Sequence, residues 1–574
     1  MKFKRLKIVT VPYFFEVPTS SRALAPAILP IGMTMVTSAL RGAGFDVDQP
    51  DLNSIFHTEN YIYGENGDED VFFDCSRVLS FIKGGTDSRL QKAITNILRK
   101  TEWDGFDAFL FSCYTIRNVS SIMIYLSMAY LLRKRFPSLI FVVGGRHFPA
   151  HVTDSLWNFM REFSLADFII KGPGESSVVR LFSALGGSTP LDDIPGLIHD
   201  KNGIMQRNPE SFTPVPILGD FGGLDMELYS YPCTSGYSKG RIKEDNRILV
   251  IPYLFTNGCP HNCAFCFASS KHFKTKSVSE VVADLKAISQ KFKTRYIYFK
   301  DATFNFSYDY TKQLCEEMIK QDLNISWSAC VHPDNLDADL LKLMKRSGAK
   351  CLIYGFETGS SKLQKYIRKN LDLRHLSEVL RESDRIGLWN GLEVMCGLPY
   401  EDDVDIDATI RFIQQNRHVI DEILVSSFRI NGYSAFLHDA PIFKLKNLQQ
   451  QDIFSRISPS VIEYPTENRV IPYTFDEDEG LVWSKKKKQI VISYQRVLMS
   501  LRYTLIPIFE NISYLFYFYD HLDNKDEIRV VYRRYAKILR KKALFRSRRY
   551  FFNELLKIRS FKYLMNRFLY FCGF

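Results

Sequence analysis

Three cysteines, Cys259, Cys263 and Cys266, fall within eight residues in the stretch Thr256-Asn257-Gly258-Cys259-Pro260-His261-Asn262-Cys263-Ala264-Phe265-Cys266. Thiolates are soft ligands that suit iron–sulfur clusters or zinc, and loop backbone at this spacing can turn all three sulfurs onto one object. A closed structural zinc site takes four ligands, so three cysteines without an obvious fourth point to a metal with an open coordination position. His261 is the residue that could complete a zinc set. The chain has eleven cysteines in all, and most of the others sit singly in apolar surroundings, such as Cys315 and Cys351. They read as buried thiols and not as a disulfide framework.

The triplet needs a scaffold, and the flanking text supplies one. It follows a strand, precedes a helix and heads a β/α series beginning at 248, with further strands expected at 296–300, 325–329, 351–356, 392–396 and 422–428. That rhythm predicts a barrel or partial barrel over 248–440. Residues 1–200 also alternate, with strands expected at 7–11, 108–112, 140–144 and 168–171 and an amphipathic helix at 119–135 ahead of Pro137. A doubly wound α/β domain is predicted there. Between them, 201–247 reads as a linker, and the Gly/Pro/Asp-rich text from 190 onward suggests a small hairpin. Beyond 440 the rhythm ends, and 441–574 reads as mainly helical.

The pattern Cys-x3-Cys-x-aromatic-Cys, with Phe265 as the aromatic residue, resembles the signature of the radical SAM superfamily. The resemblance implies a [4Fe-4S] cluster on Cys259, Cys263 and Cys266 whose fourth iron chelates S-adenosylmethionine (SAM), with Phe265 beside it. It also implies SAM contacts from Lys300 and Asp301 at the next strand's end, where family members often carry a second acid in place of Ala302. Gly355-Phe356-Glu357-Thr358-Gly359 resembles the family's Gly-x-Glu-x-Gly stretch, which makes Glu357 a further contact. Gly397-Leu398-Pro399-Tyr400-Glu401 resembles the Gly-Leu-Pro-Gly-Glu loop near the adenine, with Tyr400 in place of glycine.

In a doubly wound sheet, ligands bind beyond the C-terminal ends of the strands. The loops expected there hold Pro30 and Gly32; Ser112, Tyr114 and Thr115; Gly144, Gly145 and His147; and Gly172, Gly174 and Glu175. Singly, each glycine makes a βα turn. Together the four loops resemble the cobalamin-binding domain found ahead of radical SAM barrels, and the likeness covers roughly 1–200 and 248–430. No Asp-x-His-x-x-Gly occurs, which implies cobalamin bound without a histidine ligand below and leaves His147 as a loop contact. The N-terminal half holds only Cys75 and Cys113, too few for a second cluster, which argues against the methylthiotransferase branch.

Length and composition agree with this reading. A chain of 574 residues predicts three or four units, and 46% apolar with 24% charged residues is the balance of a folded protein. No secretory signal and no uninterrupted apolar run of about 18 residues is present, so a cytoplasmic protein is expected. From 525 to 574 fifteen Lys or Arg face three acids, a local +12 against +11 for the whole chain. This tail is a solvated helical face, a membrane-peripheral segment on an anionic lipid surface, or a site for another anionic partner, with nucleic acid the least favoured. The expected function is methyl transfer from methylcobalamin to an unactivated carbon by way of a 5'-deoxyadenosyl radical. The alternatives are a radical cyclase or rearrangement enzyme with the same cofactors, and a non-catalytic cobalamin or iron–sulfur sensor. Implied partners are a small-molecule or peptide substrate and a one-electron reductant of flavodoxin or ferredoxin type. Nothing in the strands names the substrate; Trp327 and Tyr433 line its cavity or belong to the core.

Overall fold

The computed structural model describes residues 3–12, 29–55, 71–72, 74–113, 120–145, 148, 152–187, 190–210, 216–231, 248–269, 273–451, 473–504, 512–522 and 524–533. Strands β1 (Arg5–Thr10), β2 (Asp46–Asp48), β3 (Ala108–Ser112), β4 (Ile140–Gly144) and β5 (Phe168–Ile170) run parallel. Apart from the edge strand β2, they are largely apolar runs because both faces are covered. Helices Ile31–Gly42 and Gly174–Leu185 pack on one face, and Cys75–Ile82, Ser88–Leu98, Ser120–Arg135 and Asp154–Glu162 on the other. The expected hairpin is β6 (Leu197–Lys201) and β7 (Ile204–Arg207), and it completes this sheet instead of standing in the linker, because β6 pairs with β5 and buries Leu197 and Ile198. The strand order β2-β1-β3-β4-β5-β6-β7 puts a topological switch point between β1 and β3.

The second sheet comprises β8 (Ser230–Tyr231), β9 (Ile248–Tyr253), β12 (Tyr296–Phe299), β13 (Ser326–Val331), β14 (Ala349–Glu357), β15 (Trp389–Cys396) and β16 (Glu422–Ser427), while β10 (Thr256–Asn257) and β11 (Lys274–Thr275) pair separately. Its order is β16-β15-β14-β13-β12-β9-β8, parallel except for β8. This is the partial barrel. Its helices start on side chains that accept the first free backbone N–H groups: Ser277, Ser307, Asp337, Ser360, Asp372 and Asp402. Alternate strand residues, such as Ile297, Trp327, Leu392 and Val394, pack against those helices. Trp327 is therefore core, stacked on Phe304 with ring centroids 4.6 Å apart.

The C-terminal region does more than cover the outside. A hairpin, β17 (Leu445–Gln450) and β18 (Tyr473–Glu477), leads into the helix Trp483–Thr504, whose Val497 and Leu501 join the barrel's outer core. The helix Ile512–His521 and the helical residues 525–533 then enter the barrel from below and pack on Ile248, Cys351, Ile353 and Trp389. Tyr532 donates to Glu422, and Lys525 and Arg529 both pair with Asp384 and Asp421. Two cations of the basic tail are thus internal ion pairs, and residues 534–574 lie outside the described set. No helix among the described residues is long and apolar enough to cross a membrane.

Candidate cluster and cofactor site

The cysteine loop hangs between β10 and β11, at the C-terminal end of the first barrel strand. Gly258, at φ +80°, turns the chain into it. Cys259 and Cys263 are buried and Cys266 is half-buried. The Cys259 sulfur lies 3.5 Å from the Thr303 hydroxyl, and Ala268 N–H points at the Cys266 sulfur at 3.3 Å. Backbone bonds from Ala264 to Ile367 at 2.8 Å and from Phe436 to Ala264 at 3.3 Å hold the loop against the following elements. Burial pushes the Cys263 thiol up to about 12 and raises Cys266 as well. Such thiols become thiolates when a cation of comparable charge takes the proton's place, which is the chemistry of a soft metal cluster. Among the described residues no group of three or more His, Cys, Asp or Glu side chains stands in a metal-holding arrangement, the three cysteines included. His261 instead stacks on His332 at 4.1 Å, with its Nε2 and the Nδ1 of His332 both buried and unbonded. Burial pushes His332 down to about 3, so this stack is neutral.

Next to the loop the barrel mouth carries a buried ion pair. Glu357 lies at a bulge that ends β14, at φ +63°, and takes the Lys369 ammonium at 3.1 Å. Burial works against the charge on Lys369, but the Glu357 carboxylate holds it protonated. Gly355 makes room for the pair, since a Cβ there would lie 2.5 Å from the Lys369 nitrogen. Lys300 is at the same mouth, its ammonium 3.7 Å from the centre of the Tyr298 ring.

Asp301 turns one carboxylate oxygen back onto the start of the cysteine loop. Its Oδ1 accepts from Phe255 N, Thr256 N and the Thr256 hydroxyl at 3.0, 2.7 and 2.6 Å, so it fixes the backbone that enters the cluster loop. Its other oxygen is buried and unbonded, and burial pushes the group up to about 7. Phe265 packs in the core that holds Leu398. Gly397 N–H donates to Glu401 at 2.8 Å, and the Leu398 carbonyl accepts from the Lys486 ammonium at 2.5 Å, so helix Trp483–Thr504 sets this loop. Tyr400 adopts the left-handed conformation, φ +58°, that glycine would take. Its hydroxyl donates to Lys444 O at 2.6 Å and accepts from Asp478 N at 2.9 Å, which anchors a residue otherwise disfavoured there.

In the first domain the described candidates, Pro30, Gly32, Ser112, Gly144, Gly145, Gly172, Gly174 and Glu175, stand together past the C-terminal ends of β1, β3, β4 and β5. Tyr114, Thr115 and His147 lie outside the described residues. The glycines separate by cause. Gly145, at φ +135°, is required by the protein itself, because a Cβ would lie 2.2 Å from the Cys113 carbonyl oxygen. Gly174 lets its helix approach Val36. Among the described residues a Cβ on Gly32 would meet nothing within 4 Å. Glu175 has a buried carboxylate oxygen without a partner, and burial raises its pKa. An open approach at Gly32 and an orphaned acceptor at Glu175 fit a bulky ligand rich in amide donors, as a corrinoid is.

Sequence reasoning missed Asn431 and Glu210, and it read Tyr433 as cavity lining or core and not as a link between the two sites. Asn431, beyond β16, donates to the Phe265 carbonyl at 2.8 Å, and Tyr433 N donates back to the Asn431 side chain at 3.0 Å. The Tyr433 hydroxyl reaches Glu210 at 3.2 Å, and Glu210 pairs with Lys171 at 2.8 Å, beside Gly172. The cluster loop and the ligand edge of the first sheet therefore face each other across a few side chains.

Residues 253–413 match the Radical SAM superfamily, and the chain carries a radical SAM domain there. An uncharacterized methyltransferase of Pyrococcus horikoshii is 25% identical over 50% of this chain and 60% of its own length. An anaerobic magnesium-protoporphyrin IX monomethyl ester cyclase of Synechocystis is 26% identical over 42% of this chain and 46% of its own. The chain thus spans about half the length of the curated relatives it matches. The radical SAM methyltransferase TsrM of Kitasatospora setae, solved with cobalamin and a [4Fe-4S] cluster, superposes with a TM-score of 0.55 at 15% identity, covering 86% of this chain and 91% of that one. At that identity the likeness shows a shared fold: a doubly wound domain, a partial barrel and a helical C-terminal region.

Proposed function

We propose that this protein is a cobalamin-dependent radical SAM methyltransferase that methylates an unactivated carbon of a small-molecule substrate. The observation that carries the reading is the apposition just described, in which Asn431 and Tyr433 link the cysteine loop to Glu210 and Lys171 at the edge of the first sheet. Cys259, Cys263 and Cys266 would hold the cluster, Glu357 and Lys369 would meet the charged end of SAM, and Gly32 and Glu175 would receive the corrinoid. When bound, these cofactors supply the difficult chemistry: one-electron cleavage of a sulfonium and carriage of a methyl group. The chain's own work is orientation and dryness. The helix Ile512–His521 closes the barrel below, and the loop bonds of Ala264, Phe265 and Thr256 fix the sulfurs in place. Electrons come from a flavodoxin- or ferredoxin-type donor, and the basic residues 534–574 meet an anionic partner or lipid surface.

An anaerobic assay of reconstituted protein with SAM, reductant and candidate substrates tests this. Methylated product with 5'-deoxyadenosine and S-adenosylhomocysteine supports it. Deoxyadenosine with an unmethylated, altered substrate moves the assignment to a cyclase or rearrangement enzyme. Formation of neither compound by cluster-loaded protein refutes both and leaves a sensor.

A further inference from the structure

The inner face of the partial barrel holds an acid that the protein leaves without a partner. Glu393 lies on β15, and its register neighbours Gly355 on β14 and Leu424 on β16 point into the same lumen. Leu392 and Val394, on either side of it, turn outward into the core. Glu393 is half-buried and keeps some accessible surface, as do Tyr298 and Cys330 across the lumen. Other acids nearby are engaged: Glu357 by Lys369 at 3.1 Å, Asp301 by the Thr256 amide at 2.7 Å, and Glu422 by the Tyr532 hydroxyl. Among the described residues Glu393 has no hydrogen-bond or ion-pair partner. The Lys300 ammonium sits over the Tyr298 ring, and it and Lys369 act on Glu393 through their charge.

A carboxylate in such a place needs a hydrogen-bond donor or a counter-charge once a bound substrate displaces the water that reaches it. Water is a poor answer in a cavity that must protect an organic radical. We propose that Glu393 receives a cationic nitrogen of the substrate, so that the methyl acceptor enters the barrel with a protonated amine or a comparable N–H⁺ group facing β15. The assignment rests on the proposed methyl transfer. Burial and the nearby Glu357 push the Glu393 carboxyl up to about 7 against the opposing charges of Lys369 and Lys300, and a bound cation would ionise it.

The test fractionates metabolites of the source organism by ion exchange at pH 7 into cationic, neutral and anionic pools. Each pool is given anaerobically to reconstituted wild-type protein with [methyl-13C]SAM. Label in a compound of the cationic pool is expected. Label confined to the neutral or anionic pool overturns the role of Glu393 while leaving methyl transfer standing; no label in any pool, with SAM still cleaved, removes both. With the labelled acceptor in hand, Glu393→Gln should raise KM about tenfold or more with a smaller change in kcat, and Glu393→Asp should recover part of the loss. An unchanged KM in a Glu393→Gln protein with normal iron content would also overturn the proposal.

Discussion

The side-chain amide of Asn431 donates to the backbone carbonyl of Phe265 at 2.8 Å, tying a loop past the last barrel strand to the residue before Cys266. Because the same side chain accepts from Tyr433 N–H, one amide fixes both the cluster loop and the segment that reaches the first domain. Replacing Asn431 with Ala leaves a carbonyl and an N–H without partners, a cost of about 1–3 kcal/mol that falls locally on the loop. The expected result is a protein of near-normal circular dichroism that takes up less iron and loses its cluster faster to a chelator. Iron content and chelator kinetics equal to wild type would show that the tie does not support the cluster.

Thiols of this chain should differ sharply in consequence. Cys263→Ala is expected to abolish the iron–sulfur absorbance after reconstitution and SAM cleavage with it. Cys315, fully buried in the barrel's outer core, is the control: Cys315→Ala should cost about 1–2 kcal/mol of stability and leave the cluster spectrum unchanged. Retained SAM cleavage in the Cys263 variant would refute the ligand assignment.

Two glycines of the first domain separate folding from ligand binding. Gly145→Ala places a Cβ against the Cys113 backbone at a left-handed φ, and a loss of about 3 kcal/mol is expected whether or not a corrinoid is present. Gly32→Ala enters open space at the start of a helix, where Ala is favoured over Gly by about 0.5–1 kcal/mol. Its Tm should hold or rise while corrinoid absorbance of the loaded protein falls. Full corrinoid binding by Gly32→Ala would mean that no ligand needs that space.

The sheets were legible in the sequence for a physical reason: parallel strands covered on both faces read as short apolar runs, and those at 108–112 and 140–144 match β3 and β4. The cysteine triplet was legible because its spacing is local. What escaped depends on register and tertiary contact. Nothing in Lys300-Asp301 says that Asp301 turns back onto Thr256, because that requires the alignment of β12 with β9. The aromatic helix Ile512–His521 has the same texture whether it lies outside the barrel or, as found, inside it. Tyr400 looked like a departure from a glycine loop, yet two bonds to its hydroxyl preserve the turn.

The loop that carries Gly397 and Leu398 gives the protein a pH dependence. Glu401 accepts from Gly397 N–H at 2.8 Å, and burial raises it from 4.5 to about 7. A carboxyl raised on folding binds its proton more tightly in the folded state. Its contribution to stability is therefore full below the unfolded value near 4.5 and is lost as pH rises through about 7. Glu401→Gln keeps an acceptor for Gly397 and cannot ionise, so the difference between variant and wild type should shift in the variant's favour between pH 5 and pH 8, by up to about 3 kcal/mol. Chemical denaturation at a series of pH values measures it. A gap that stays constant across that range would show that Glu401 titrates as an ordinary carboxylate despite its burial.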